Sequence, residues 1–376
     1  MTHSARMGYM RSTSSILACV LLTACAGRTK LLPEVDTKLA IAEVEKQNEI
    51  FLTDYRDHLI QASTVFANIA RANAAHCPKA GPLYTGMMAT NAGGFPNAQR
   101  AAARKVFGNP IGANDVDDQP WVFHVIAGSP ADRSGIRVGD RILDVGGVDV
   151  GTGARGQAEM MNSLRAAAAN GPIALTVKRG DETITMAMSA EKACDYGFGL
   201  RRSERIVAFA DGSKVEVTTG LLRFVKTDDE LALIVGHELA HKVLGHRDTS
   251  TQNAVTGGIL GASGALLAAG PLGAAVGIGL AVQGATMGAR LNSQDHESEA
   301  DYVGTYYAAR AGYNVENAAD VIRRFAVLDP GAIHLRGGTH PSTALRFLAI
   351  EETAREIRNK QLAGGGGGAV VPNVRN

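Results

Sequence analysis

The sequence is poor in cysteine and in aromatic side chains, and neither sign of charge is in excess. Four cysteines in 376 residues, none in a C-x-x-C pair, exclude a disulfide scaffold and a structural zinc site of the paired-cysteine type. Because 38 Lys and Arg balance 37 Asp and Glu, the cationic surplus that duplex binding needs is missing, and we expect no nucleic-acid partner. The content of 45% hydrophobic and 20% charged residues indicates a globular protein, whose length predicts two or three domains.

The first thirty residues have the pattern of an export signal. Two arginines precede the apolar run 16–22, which is too short to span a bilayer, and small residues follow it. Leu22-Thr23-Ala24-Cys25 resembles the bacterial lipobox, in which the cysteine is lipidated and becomes the new N-terminus. We therefore expect a signal peptide over 1–24, a lipid anchor on Cys25, and an outer-membrane lipoprotein that faces the periplasm. The alternative is an ordinary secreted protein.

Export also changes what the remaining cysteines predict. Cys19 leaves with the signal and Cys25 carries lipid, so Cys77 and Cys194 are left as a pair in an oxidising compartment. We expect a disulfide between them, and the alternative is two buried free thiols.

The spacing of apolar residues divides the rest of the chain. In the N-terminal region 25–104, helical spacing over 36–75 predicts one long helix or two, and the prolines and glycines after Cys77 predict loop. Residues 194–362 carry the candidate chemistry, and the glycine-rich tail 363–376 predicts a flexible end.

Residues 105–190 have the pattern of a small β-rich domain, with four short apolar runs separated by glycine turns. Residues 128–142, between the first two runs, read GSPADRSGIRVGDRI and resemble the core of bacterial PDZ domains. That resemblance implies an inserted domain that binds peptide C-termini or extended segments at a sheet edge. The alternative is an unrelated β-rich insert with the same turn chemistry.

His237-Glu238-Leu239-Ala240-His241 lies in an apolar run that favours a helix. Four residues turn an α-helix by about 400°, so both imidazoles lie on one face and can bind one metal ion, with Glu238 beside them as a proton acceptor. The alternative is a buried helix with two hydrogen-bonded histidines. Burial of these three groups without a partner is costly, which disfavours that alternative.

A catalytic zinc site needs a third protein ligand. His246 lies one position before the place that the pattern H-E-x-x-H-x-x-G-x-x-H requires, so it does not fit as that ligand. Glu297 and Asp301 are one helical turn apart, so one carboxylate can bind the metal while the other orients a ligand histidine. We expect His296 and Glu299 to point elsewhere on that helix.

Four features over residues 195–350 together resemble zinc endopeptidases of the HtpX, BepA and CAAX-prenyl-protease type. They are Thr219-Gly220-Leu221-Leu222 followed by Asp228-Asp229-Glu230-Leu231, the HELAH segment 237–241, the segment ESEAD at 297–301, and Thr339-His340-Pro341 with Arg346. The resemblance implies that His237, His241 and Glu297 bind one zinc ion per chain. It implies Glu238 as the catalytic base and Asp301 as a support for the ligands.

The resemblance further implies that His340 and Arg346 lie near the transition state or in a gating segment. It predicts an α+β protein: a mainly helical zincin-type metallopeptidase domain with a small β-sheet, plus the inserted PDZ domain. The implied function is cleavage of misfolded or misassembled envelope proteins. The alternative is a PDZ-bearing, chaperone-like or scaffold lipoprotein with a latent zinc site, which a spare histidine such as His246 or His340 blocks.

Two further segments bear on the substrate. The pattern over 205–218 predicts a hairpin. The resemblance implies that one of its strands is an open edge beside the zinc, where an extended or unfolded polypeptide can add as a further strand. Residues 249–289 carry no charge and hold ten glycines and ten alanines. We expect close-packed helices or a lid there, because such residues bury little apolar area; the alternative is a hairpin of two membrane spans.

Overall fold

The computed structural model describes residues 36–108, 118–211, 214–246, 295–328, 344–364 and 371–373. The predicted signal peptide, Cys25, the stretch 249–289 and His340 lie outside the described residues. The described residues of the first compact unit, 36–43, belong to a helix, and all other contacts reported below lie within the second unit, 44–376.

In the part of the chain that the structure describes, helices combine with three sheets, and the predicted α+β class is confirmed. The helices are α1 Thr37–Ala72, α2 Arg100–Val106, α3 Pro130–Arg133, α4 Gly153–Ala169, α5 Thr219–Phe224, α6 Asp228–Val243, α7 over residues 295–310, α8 Asp320–Leu328 and α9 Ala344–Ala363. The strands are β1 Ala80–Tyr84, β2 Met87–Thr90, β3 Trp121–Val125, β4 Arg141–Val145, β5 Val148–Asp149, β6 Ile173–Arg179, β7 Glu182–Met188, β8 Glu191–Cys194, β9 Gly197–Arg201, β10 Ala208–Asp211 and β11 Lys214–Thr218. Among the described residues, no helix is long and apolar enough to cross a membrane.

Residues 37–72 form one long helix rather than two. Apart from Leu52, the buried residues of α1 lie in its second half, where Ala62, Val65, Phe66 and Ile69 recur at helical spacing and pack into the largest core cluster.

The largest sheet has the strand order β2-β3-β4-β6-β7, with β5 paired to β4. The β4–β5 hairpin turns at Gly146 and Gly147, whose φ values of 65° and 83° are accessible to glycine at little cost. Helix α4 covers this sheet, and its Met160 packs with Ile142 and Leu175 in a separate core. The strands predicted between 105 and 190 are present.

The prediction of loop between Cys77 and residue 109 was wrong. That segment contains β1, β2 and α2, and β2 pairs with β3, so the largest sheet begins at Met87 rather than after residue 105. Strands of four or five residues are too short to show an alternating pattern, and the surrounding prolines and glycines dominated the sequence signal.

Strands β1 and β8 form an antiparallel ribbon at the base of the insert. Ala80 pairs with Cys194, and a disulfide joins Cys77 to Cys194 with their Cα atoms 5.5 Å apart. The two ends of the inserted domain are therefore held together by backbone pairing and by a covalent bond.

The third sheet belongs to the C-terminal half, with β10 antiparallel and β9 parallel to the central β11. The hairpin predicted over 205–218 is present, although β10 begins at Ala208. Helix α5 starts directly after β11, capped by Thr218, and α6 starts at a second threonine cap, Thr227. Three acidic residues in the first turn of α6 oppose the helix dipole, so the sequence stabilises the start of the helix that carries the HELAH segment.

Candidate metal centre

The two histidines of the HELAH segment lie in the second half of α6, on the same face. His237 Nε2 lies 3.0 Å from His241 Nε2, so both ring nitrogens point to one place. Helix α6 is buried from Glu230 to Ala240, and Glu238 is only 3% exposed. The HELAH segment is therefore part of the interior of the protein.

Glycines allow α7 to cross α6 with its backbone in contact. A Cβ on Gly304 would lie 2.5 Å from the backbone nitrogen of His237, and a Cβ on Gly236 would lie 2.5 Å from the carbonyl oxygen of Gly304. No larger residue fits at this crossing without displacing a helix. The close approach brings Glu297, at the start of α7, to the two histidines.

The carboxylate of Glu297 completes a set of three converging donor atoms. Its Oε1 lies 3.2 Å from His241 Nε2 and its Oε2 lies 3.5 Å from His237 Nε2. One donor atom of each residue lies within 4.8 Å of the other two. Ligand atoms at bonding distance from one tetrahedral zinc ion are about 3.3 Å apart, so two imidazoles and a carboxylate in this arrangement fit such an ion.

Asp301 and Arg346 support this set from behind. Asp301 Oδ1 lies 2.8 Å from His237 Nδ1, the nitrogen that faces away from the donor cluster. The buried guanidinium of Arg346 donates two hydrogen bonds of 2.7 Å to Asp301, and its Nη1 lies 3.1 Å from Glu297 Oε2. The structure thus brings Asp301 to the place that the resemblance implied. It places Arg346 against two carboxylates, which favours a positioning role over direct contact with a substrate.

Electrostatics couple these groups. Burial lowers the pKa of His237, but hydrogen bonds to Asp301 and Glu297 outweigh burial and raise that pKa to about 10. Burial raises the pKa of Asp301, but the charge and hydrogen bonds of Arg346, together with the interaction with His237, outweigh burial and lower that pKa. Asp301 is therefore an anion that holds a proton on His237 Nδ1, and a cation bound at Nε2 would take the place of the second proton that the raised pKa describes.

Two residues of the site were not predicted. His246 Nδ1 lies 2.9 Å from His241 Nδ1, and Glu299 Oε2 lies 3.0 Å from His246 Nε2. The expectation that His296 and Glu299 point elsewhere was wrong, because the ring of His296 stacks on His246 and Glu299 contacts it. His246 itself faces the outer nitrogen of His241 rather than the donor cluster. The available signal was Gly245, whose φ of 69° ends α6 and turns the chain back towards it.

The remaining predicted residues are placed as follows. Glu238 follows His237 on α6 and is buried within the site, whereas His340 lies outside the described residues, so its role stays a prediction. Strand β10 packs against α6. Among the described strands, β10 pairs with β11 alone.

Comparison with known proteins identifies both parts of the chain. Residues 179–354 match the model of Peptidase family M48, and residues 111–189 match the model of the PDZ domain. Metalloprotease LoiP of Escherichia coli (strain K12) is 28% identical over 175 residues, which are 46% of this chain and 64% of LoiP, so the match spans less than two thirds of that relative. The donor cluster lies inside the first match, and strands β3 to β7 lie inside the second, whereas β2 precedes it. The chain is therefore similar to a PDZ domain over residues 111–189 and to peptidases of family M48 over residues 179–354.

Proposed function

We propose that this protein is a zinc-dependent endopeptidase with one zinc ion per chain, held by His237, His241 and Glu297. The observation that carries the proposal is the convergence of these three donor atoms beside the buried Glu238. A zinc ion bound there polarises the scissile carbonyl and lowers the pKa of water to about 7.

The residues of the chain supply the rest of the chemistry. Glu238 accepts the proton of the attacking water and passes it to the departing amine. Asp301 orients His237, and Arg346 holds Asp301 and Glu297 in place. His340 is a further candidate for stabilising the oxyanion, as the resemblance implies.

We propose extended or unfolded polypeptides as substrates. Strand β10 packs against α6 and, among the described strands, pairs with β11 alone, so a chain added as a strand at its other edge would run close to the helix that carries the catalytic residues. Backbone hydrogen bonds recognise any extended segment, which predicts broad sequence tolerance. Misfolded or misassembled envelope proteins are substrates of this kind.

We also propose that the PDZ domain recruits peptide C-termini at β2, the outer strand of its sheet. Gln157 of α4 donates a hydrogen bond of 3.0 Å to the carbonyl of Ala89 in β2. A peptide that adds at this carbonyl displaces the side chain of Gln157. Peptide binding would therefore break a contact between β2 and α4.

The proposed location is the outer membrane, facing the periplasm, with a lipid anchor on Cys25. Two observations support it: the lipobox-like sequence and the disulfide Cys77–Cys194, which is typical of oxidising compartments. Mass spectrometry of the protein from membranes tests the anchor, because cleavage before Cys25 and a diacylglyceryl mass define it.

The test of the activity is the Glu238→Gln variant. We expect wild-type protein to bind zinc in a 1:1 ratio and to cleave unfolded casein. Loss of the general base lowers kcat by about 10²–10⁴-fold, while zinc remains bound. Glu45→Gln, an exposed glutamate of α1, is the matched control and retains full activity.

Three outcomes contradict the proposal in different ways. Wild-type protein without bound metal rules out the metal site. Casein cleavage by Glu238→Gln at the wild-type rate rules out the assigned base. The third outcome is a protein that binds zinc without cleaving casein, while its Glu238→Gln variant complements a deletion strain. That outcome identifies the scaffold lipoprotein.

A further inference from the structure

A chain of two hydrogen bonds leads from the donor cluster to the protein surface. His241 Nδ1 and His246 Nδ1 are 2.9 Å apart, and His246 Nε2 and Glu299 Oε2 are 3.0 Å apart. His246 is 5% exposed, whereas the side chain of Glu299 is 55% exposed. Neither of these two contacts uses His241 Nε2, the nitrogen that faces His237 and Glu297.

The chemistry of the three groups fixes where the protons are. A carboxylate only accepts, so His246 must carry its proton on Nε2 to bond with Glu299. Its Nδ1 then has a lone pair, which accepts the proton that His241 carries on Nδ1. His241 Nε2 is therefore left without a proton, which is the form that binds a metal ion.

Stacking holds the middle member of the chain in place. The rings of His246 and His296 lie 4.3 Å apart with an angle of 7° between their planes. Gly245, in a left-handed conformation directly after α6, turns the backbone so that His246 faces back towards His241. Packing and backbone geometry therefore both fix the orientation of the His246 ring.

We infer that His246 and Glu299 form a relay that positions His241 and sets its tautomer for zinc binding; this inference rests on the proposed zinc site. The relay orients His241 and fixes its proton on Nδ1, as Asp301 does directly for His237. The difference is that the imidazole of His246 lies between the ligand His241 and the carboxylate of Glu299. His246 is thus a positioning residue, and neither a zinc ligand nor a plug of the site.

The test compares two substitutions of His246 in the full-length protein. His246→Leu removes the acceptor for His241, and we expect zinc affinity, measured by competition with a chelator, to fall by about 10–100-fold. In His246→Asn the side-chain oxygen takes the place of Nδ1 and still accepts from His241, so we expect a loss within about threefold. His124→Leu, a partly buried histidine of β3, is the control and leaves zinc affinity unchanged.

A second measurement does not depend on how well the leucine variant folds. Imidazole ¹H–¹⁵N correlation spectra of the zinc-loaded protein should show His246 protonated at Nε2 and His241 at Nδ1. Glu299→Gln removes the charge that selects this tautomer, and we expect mixed His246 tautomers with a severalfold lower zinc affinity. Glu352→Gln, on exposed α9 surface, gives the wild-type spectrum.

The outcomes separate this inference from the proposed function. Equal zinc affinity in wild type and His246→Leu, with casein cleavage intact, overturns the relay and leaves the peptidase in place. Equal weakening in the leucine and asparagine variants, or His246 protonated at Nδ1 in wild type, also overturns it. Wild-type protein that binds no zinc overturns the proposed function, and the relay with it.

Discussion

At the residue scale, the carboxylates that support the two ligand histidines differ in their exposure to solvent. Asp301 is 3% exposed and is neutralised by Arg346, whereas the carboxylate behind His246 is half exposed. A buried carboxylate is poorly screened by solvent, so its charge interacts strongly with His237, but removal of that charge leaves Arg346 partly uncompensated. Support of His237 therefore couples metal binding to folding stability more tightly than support of His241 does.

This coupling predicts the effect of Asp301→Asn. We expect zinc affinity to fall by about 10–100-fold, because the neutral amide no longer raises the basicity of His237. The free energy of unfolding should fall by about 1–3 kcal/mol, since Arg346 retains Glu297 as its remaining anionic partner. Chelator competition and urea denaturation measure the two effects. Asp57→Asn, at an exposed ion pair, is the control, and an unchanged zinc affinity for Asp301→Asn contradicts the assigned role.

Glu356 gives a pH-dependent prediction away from the metal site. Burial raises its pKa, but hydrogen bonds from Tyr306, Tyr302 and Lys360 outweigh burial and lower that pKa to about 2. A depressed pKa means that ionised Glu356 stabilises the protein above the unfolded pKa of 4.5, and that this stabilisation is lost as pH falls towards 2. At neutral pH, Glu356→Gln should lower the free energy of unfolding by roughly 2 kcal/mol.

Denaturation of wild type and Glu356→Gln between pH 7 and pH 2 measures this effect. The difference between the two proteins should be constant down to about pH 5 and shrink at lower pH. Glu352→Gln, one turn away on the exposed side of α9, should show no such pH-dependent difference. A difference between wild type and Glu356→Gln that is the same at pH 3 and pH 7 contradicts the shifted pKa.

Residues whose roles depend on spacing within one helix could be identified from the sequence. His237 and His241 are one turn apart on α6, as are Glu297 and Asp301 on α7, and the structure brings all four together. The His246 contact could not be predicted, because it depends on the turn at Gly245 and on which face α7 presents to α6. Neither property is visible in the periodicity of a single segment.

At the element scale, the crossing of α6 and α7 determines whether the site exists. Glu297 lies about two helical turns from Gly304, so a shift of α7 at the crossing moves the carboxylate relative to the histidines. Backbone contact at Gly236 and Gly304 leaves no side chain that can adjust to absorb such a shift.

Gly304→Ala tests the role of this crossing. The added Cβ would lie 2.5 Å from the backbone nitrogen of His237, and we expect overpacking to cost about 1–3 kcal/mol of folding stability. Zinc affinity should fall as well, because α7 must move away from α6. Gly81→Ala, whose Cβ would meet only Leu83 at ordinary contact distance, is the control. If Gly304→Ala leaves both the zinc affinity and the thermal midpoint unchanged, the prediction is contradicted, because the site would then not depend on this close crossing.

Long elements and strands that form clear apolar runs were predictable, whereas β1, β2 and α2 were not. α1, α6 and the β6–β7 hairpin have enough residues to show a period, and the structure contains each of them. The pairings of β1 with β8 and of β2 with β3 join short segments that are distant in sequence, so long-range packing determines them. This is why the largest sheet starts earlier than the predicted domain boundary.

At the scale of the whole molecule, the ribbon β1–β8 connects the PDZ domain to the peptidase domain. Glu191 of β8 lies between Arg133 of α3 and Arg71 of α1, at 2.7 Å and 3.3 Å, so it bridges the two domains electrostatically. These ion pairs are partly exposed and contribute little on their own. The covalent bond between Cys77 and Cys194 is therefore the stronger restraint on the base of the insert.

The disulfide predicts a large change in stability when it is removed. It spans 117 residues and encloses the whole PDZ domain, so its loss gives the unfolded chain much more conformational freedom. In the chain-entropy model a loop of this length contributes at most about 4–5 kcal/mol. We expect urea denaturation of the Cys77→Ala/Cys194→Ala variant to show a free energy of unfolding lower by about 3–5 kcal/mol.

Reductant should lower the stability of wild type to the same value, and it should leave the double variant unchanged. Equal stability of the two proteins without reductant contradicts the prediction, because the ribbon and its ion pairs would then be sufficient to hold the insert.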